Sequence, residues 1–331
     1  MIWPNAESFT NSDPWLVEHH DEIRRMRPRV LGVNFVHGLS EAEARGQLET
    51  LSAVLAESSR WQGYRDPHAP IFLDYQVGEI VDFTEPAGHV DRNSARFPRA
   101  AGGIHLDYGA LYDMLDLEAR VASGDVHEVW LLADHTDHTW PWETVEVKAA
   151  YDDGFHRTGG HAVHAGNSGA HSAPWIGRSL RVLFVNHARG VGCAMESLGH
   201  SLERMATCGA LPYYERYFRD YAMLHLYGRK RVRHRRRSVS AGGNVHFMPN
   251  GRFDYDLEGQ GPVLSTIETW RQPDQVAVPW TPAPLERYRG FAPDCMGRWV
   301  VYWRQNMPGL DNAALDDEGR PMKNWWPFLF Y

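Results

Sequence analysis

The chain has 331 residues, 43% of them apolar and 23% charged, so it is long enough to bury a sizeable core. This composition excludes disordered, collagen-like and coiled-coil classes. A net charge of −8, from 34 basic and 42 acidic residues, argues against a general nucleic-acid binder. No run approaches the roughly 20 apolar residues of a membrane-spanning helix, and the opening Met1-Ile2-Trp3-Pro4-Asn5 does not read as an export leader.

In chain order, Ser12 or Asp13 caps an expected helix over Trp15 to Met26, with Pro14 in its first turn and Pro28 beyond its end. Arg29 to Val36 has strand length. Ser40 and Glu43 form a capping box for a helix whose Leu48, Leu51, Val54 and Leu55 recur at helical spacing to about Ser58. Ile71 to Phe83 reads as a strand with a bulge or bend at Gly78. Tyr108 to Val121 is an expected helix, Val126 to Ala133 a buried strand, Leu180 to Val185 another, and Val191 to Thr207 the helix that follows it. Between the last two strands, Asp134 to Ser179 is irregular apart from Thr144 to Ala149 and reads as a functional loop, the alternative being a segment that hides short strands. From Pro249 onward the chain is turn-rich and aromatic, with one helix or strand around Trp299 to Gln305.

Alternation of strand and helix points to an α/β fold, a mainly parallel or mixed sheet flanked by helices, with an irregular aromatic-rich C-terminal region. A single domain over 1–331 is the preferred organisation; the alternative is a 1–225 core and a 226–331 wrap. On such a sheet, ligands gather beyond the carboxyl ends of strands, here just after Ala133 and Val185.

The 18 histidines and 13 tryptophans direct attention to a site. Glu196 and His200 are four residues apart on one expected helix, so they project from one face, with Glu203 a turn further on. One imidazole and one or two carboxylates aimed at a common point suit a divalent ion. His246, on the strand-like run Gly243 to Met248, is the expected third ligand, leaving a position for water. Glu143, flanked by Trp140 and Trp142 after the strand ending at Ala133, is the candidate general base or acid. Arg189, Trp140, Trp142 and Asp254 are the weaker candidates for holding substrate. Asp254 and Asp256 would share one side of a strand and could hold a hard cation or sugar hydroxyls, but no EF-hand spacing surrounds them and a structural turn is the expectation.

Other features have plainer explanations. Gly190 and Gly192 precede a helix and invite an anion, but GxGxxG is incomplete and close packing explains them better. His135/His138 and His161/His164 are HxxH pairs in non-helical surroundings, read as loop histidines. Cys193, Cys208 and Cys295 lack CxxC spacing; Cys193 lies where a helix dipole would lower its thiol pKa. Arg229 to Arg237 concentrates seven basic residues without interleaved aromatics and reads as a solvated loop. The C-terminal rings either seal a core or line a sugar cleft, and core packing is the expectation.

The segments VHEVWLLA, GVGCAMESLGHSLERM, GNVHFMPNGRFDYD, PGLDN and MKNWWPFLFY together resemble an uncharacterised group of bacterial α/β proteins, many of which look exported. The resemblance implies an extracellular or periplasmic setting and no particular reaction. Glu196, His200 and His246 lie in the segments that carry it.

The leading expectation is a hydrolase that uses a divalent metal, zinc first, held by His200, Glu196 and His246, with Glu143 moving the proton. Peptide, amide and glycan bonds are all compatible substrates. One rival is a metal-free glycoside-active enzyme using Glu143 and Glu196 as its carboxylate pair. The other is a non-catalytic protein that binds carbohydrate or cell-wall polymer.

Overall fold

A computed structural model describes residues 1–8, 13–84, 91–162, 165–223, 241–259 and 261–331. The Arg229 to Arg237 run, His164 and Ser12 lie outside these residues.

Strand β1 (Ile2–Trp3), helix α1 (Asp13–Glu18) and strand β2 (Arg25–Met26) open the chain. The expected helix to Met26 therefore stops eight residues early. Its remaining backbone donors are spent elsewhere: Arg24 N–H reaches Met1 O, Met26 N–H reaches Phe72 O, and Arg27 N–H reaches Trp3 O. Strand β3 (Arg29–Asn34) leads through helix α2 (Glu41–Ser58) to strand β4 (Gln76–Asp82), and both halves of the Ser40/Glu43 capping box are present. Opposite β3, Val30 faces Val77 while Gly32 faces Ile80, so β4 carries one extra residue at Gly78–Glu79, the bulge that the glycine announced.

The expected helix over Tyr108 to Val121 is two helices, α3 (Tyr108–Met114) and α4 (Leu117–Ala122). Asp116, at φ 50° in the left-handed region, breaks it. Strand β5 (Glu128–Ala133) follows, then β6 (Thr144–Tyr151), β7 (Arg157–Ala162) and β8 (Leu180–Asn186). Helix α5 (Val191–Met205) leaves β8 after a four-residue turn, and α6 (Pro212–Ala222) and α7 (Cys295–Gln305) complete the α-helices among the described residues, beside 3-10 turns at His20–Glu22, Ala283–Tyr288 and Trp326–Leu329.

The main sheet has six strands in the order β4-β3-β5-β8-β6-β7. The first four run parallel, and β6 and β7 are antiparallel additions, so the sheet is mixed. Each face carries its own apolar core. One core joins α2, α5, α6, α7 and the C-terminal rings; the other joins α3, α4 and the opposite face of the strands. The C-terminal aromatics are core: Trp299 and Trp303 on α7, and Trp325, Trp326, Phe328 and Tyr331 beyond it, are fully buried. Burying each such ring contributes about 1.5–3 kcal/mol, which fixes the C-terminal region onto the sheet.

A row of charge crosses the sheet beneath α5. Glu128 on β5, Arg181 on β8 and Glu146 on β6 stand side by side, all buried. Arg181 reaches Glu128 at 2.8 Å, and Lys148 Nζ bonds Glu146 at 3.0 Å and the Phe328 carbonyl at 2.9 Å. Ser201 on α5 donates to Glu146 at 3.2 Å. Every charge in the row has an opposite partner, the condition for burying it.

Strand order reverses between β3 and β5, where such sheets open a crevice. Here Asn93 bridges to β5, donating to Asp134 O at 2.7 Å and accepting from Asp134 N–H at 2.8 Å, and lines a pocket with Ser94, Phe97, His138 and Thr139.

A candidate metal centre at the end of strand β8

Helix α5 places Cys193, Glu196, His200 and Glu203 along one stripe, because steps of three and four residues keep to one helix face. Gly192 lets the start of this helix press on α7. A methyl group there would lie 1.9 Å from Asp294 Oδ1, the atom that caps α7 through Gly297 N–H at 2.7 Å. Gly192 thus serves close packing, whereas a methyl group at Gly190 would make only an ordinary 3.8 Å contact with Asp294; a carboxylate already stands where an anion was considered.

The third participant arrives from the C-terminal region. His246 is on the tip of a tight turn, not on a strand: Asn244 and Phe247 exchange backbone hydrogen bonds at 2.9 and 3.1 Å and leave Val245 and His246 as the loop. Trp299 Nε1 on α7 donates to Asn244 O and Val245 O, both at 3.0 Å, and Trp303 Nε1 holds Gly243 O at 3.3 Å. On its other side the turn lies against Gly199, where a methyl group would meet Val245 Cγ2 at 2.4 Å.

Glu196, His200 and His246 therefore converge, with one ligand atom from each lying within 4.8 Å of the others. His200 Nε2 and His246 Nε2 are 3.0 Å apart, His246 Nε2 is 3.0 Å from Glu196 Oε1, and His200 Nε2 is 4.0 Å from that oxygen. Tetrahedral coordination with bonds of about 2.0–2.1 Å sets ligand atoms about 3.3 Å apart, so these three separations bracket a zinc-sized hole. All three side chains are mostly buried.

The outer nitrogens determine which way the lone pairs point. His200 Nδ1 is 2.9 Å from Glu203 Oε2, and His246 Nδ1 is 2.9 Å from Asp254 Oδ1. A carboxylate only accepts, so each Nδ1 carries a proton and each Nε2 faces inward. Two imidazole lone pairs and a carboxylate oxygen then confront one another across about 3 Å, an arrangement that demands a cation between them, either a proton or a metal ion.

The electrostatics agree. Burial raises the Glu196 carboxyl, but when the cation in the cluster is a proton on His246 Nε2, its hydrogen bond and that of the Tyr255 hydroxyl outweigh burial and hold the group below its ordinary value. Burial lowers His200, yet the bond and charge of Glu203, aided by Glu143 and Glu196, leave it raised. Tyr255 is pushed up by burial and by the Glu196 it donates to. Its ring lies against His246 at 3.9 Å between centroids.

Glu143 belongs to the same region. Its charge is felt at His200, Tyr255 and Cys193, and its Oε2 accepts from Asn167 at 2.6 Å. The Trp140 and Trp142 rings each stack on a histidine: Trp140 on His135 at 3.9 Å and Trp142 on His105 at 4.2 Å. Arg189 is exposed in the turn before α5, and its charge is felt at His135 and Cys193. Asp254 is not paired with Asp256 on a strand. Tyr255 between them adopts φ 61°, which turns Asp254 to His246 and Asp256 inward to the Arg252 and Gly259 N–H groups.

Burial pushes the Cys193 thiol up to about 11, with Arg189 opposing and Glu196 and Glu143 adding, so the helix dipole does not make it a ready thiolate. All three cysteines are free. His135 is engaged by Trp140 and by the Pro141 carbonyl at 3.0 Å, and His138 is exposed. Tyr255 and Asn167 are the participants that sequence reasoning missed; neither stands at a spacing from Glu196 that a helix or strand repeat would reveal.

No protein-family model matches the chain, and no curated protein matches it. Among the described residues no helix is long and apolar enough to cross a membrane.

Proposed function

We propose that this chain is a metal-dependent hydrolase acting on a peptide, amide or glycan bond, with His200, His246 and Glu196 as ligands of a divalent ion. The observation that carries the reading is the trio of inward-facing ligand atoms, each imidazole backed by its own carboxylate. Two nitrogens and one oxygen suit zinc, iron and manganese alike, with zinc the ion proposed first, and leave a position for water or substrate. When bound, such an ion lowers the pKa of water and polarises the bond to be cut. Glu143, held by Asn167 and near enough to act on the field at His200, is the base in this scheme. Glu196 serves better as ligand than as general acid, because its partners keep it ionised.

Elemental analysis of tag-free protein tests the reading, with wild type beside His200→Ala and Glu143→Gln. Near-stoichiometric metal is expected in the wild type and in Glu143→Gln, and none in His200→Ala. A folded wild type that holds no metal after incubation with zinc or manganese would rule the proposal out.

A further inference from the structure

Glu203 uses its two oxygens for different purposes. Oε2 faces His200 Nδ1 at 2.9 Å, while Oε1 accepts the backbone N–H of Val245, the neighbour of His246, at 3.2 Å. One carboxylate thus registers the imidazole on α5 against the turn that carries the other imidazole. The side chain is only 13% exposed, so water does not substitute for either partner.

We propose that Glu203 is a positioning residue that selects the tautomer of His200 and thereby the nitrogen offered to the centre. The backbone N–H of Val245 is a fixed donor, so whichever side-chain atom faces it must accept. A carboxylate accepts at both ends, and His200 presents Nδ1–H to it, leaving the Nε2 lone pair turned toward the centre that His200 shares with Glu196 and His246. In Glu203→Gln the single amide oxygen goes to Val245, and the NH2 group faces His200 Nδ1. That nitrogen must then accept, which moves the ring proton to Nε2, the atom that would bind the ion. In Glu203→Ala the ring is less firmly held but free to take either tautomer. The isosteric substitution is therefore the more damaging one, the reverse of what a purely structural role predicts. Asp254 offers the contrast: it is 63% exposed and its described hydrogen bond is the one to His246, so an amide at 254 turns its oxygen to Nδ1 without conflict.

The affinity side of this inference rests on the metal-centre reading; the tautomer side does not. Zinc affinity would be measured on the full chain by competition with a chromophoric chelator for wild type, Glu203→Ala, Glu203→Gln and Asp254→Asn, with urea unfolding to check each fold. Loss of about tenfold is expected for Glu203→Ala, about a hundredfold for Glu203→Gln, and little for Asp254→Asn. In parallel, 15N-histidine NMR of the metal-free proteins at pH 8 should show His200 protonated at Nδ1 in wild type and at Nε2 alone in Glu203→Gln. Equal or better affinity in Glu203→Gln than in Glu203→Ala, or an unchanged tautomer, overturns the proposal. Should Glu203→Gln fail to fold, a wild-type His200 without a proton on Nδ1 overturns it alone. If the wild type takes no zinc, the hydrolase reading falls while the NMR result still decides the role of Glu203.

Discussion

At the residue scale, glycines separate packing from conformational freedom. Gly192→Ala places a methyl group against Asp294 Oδ1, so one helix must move or the other loses its cap. A loss of about 1–3 kcal/mol is expected, read as a lowered urea midpoint. Gly46 on α2 has open space around a Cβ, so Gly46→Ala should raise stability by about 0.5–1 kcal/mol in the same measurement. Legibility in the sequence divides similarly. Glu196, His200 and Glu203 were readable because helix periodicity is local. That Asp254 backs His246 was not, since it depends on the left-handed conformation of Tyr255, a non-glycine residue whose type gives no warning.

At the element scale, the strands whose residues are apolar on both faces, β3, β5 and β8, were readable from composition, as was α2 from its capping box. Helix α6 went unassigned although Pro212 opens it and Tyr214, Tyr217, Phe218 and Tyr221 share its buried face. Its aromatics are as common in strands as in helices, and the Arg-rich segment that follows distracts from the pattern. The charged row under α5 was invisible, because partners on β5, β8 and β6 are set by sheet order. Arg181→Met would leave Glu128 and Glu146 facing each other across an apolar residue. A destabilisation of about 3–5 kcal/mol is expected on urea unfolding, far beyond that of an exposed ion pair such as Arg289–Glu286.

At the scale of the whole molecule, two buried histidines couple folding to acidity, His20 against the C-terminal segment and His127 against Arg29 and Trp3. His20 donates Nε2–H to Asn324 O and accepts from Tyr331 at Nδ1, and burial lowers its pKa to about 3. Burial, with Arg178 and Arg29, lowers His127 to about 2. In the unfolded chain both titrate near 6.5, so below that pH the unfolded state binds more protons and stability falls as pH falls toward 3. Above about pH 6.5 their contribution is complete. Each histidine adds a slope of about 1.4 kcal/mol per pH unit in that window. His20→Gln should remove one proton from this dependence, measured as a shallower loss of urea midpoint between pH 6 and pH 5.

The bulge at Gly78–Glu79 has its own bearing on behaviour in solution. Strand β4 is an edge of the six-stranded sheet, and an edge is a row of unpaired amides ready to recruit a second chain. The extra residue interrupts that row at mid-strand, and Glu79, tied to Arg120 at 2.7 Å, sets an ion pair beside the interruption. Straightening the strand and removing the charge with Glu79→Val and deletion of Gly78 should produce concentration-dependent association by light scattering. The irregularity limits the sheet's growth: it keeps the outermost parallel strand from templating a neighbour.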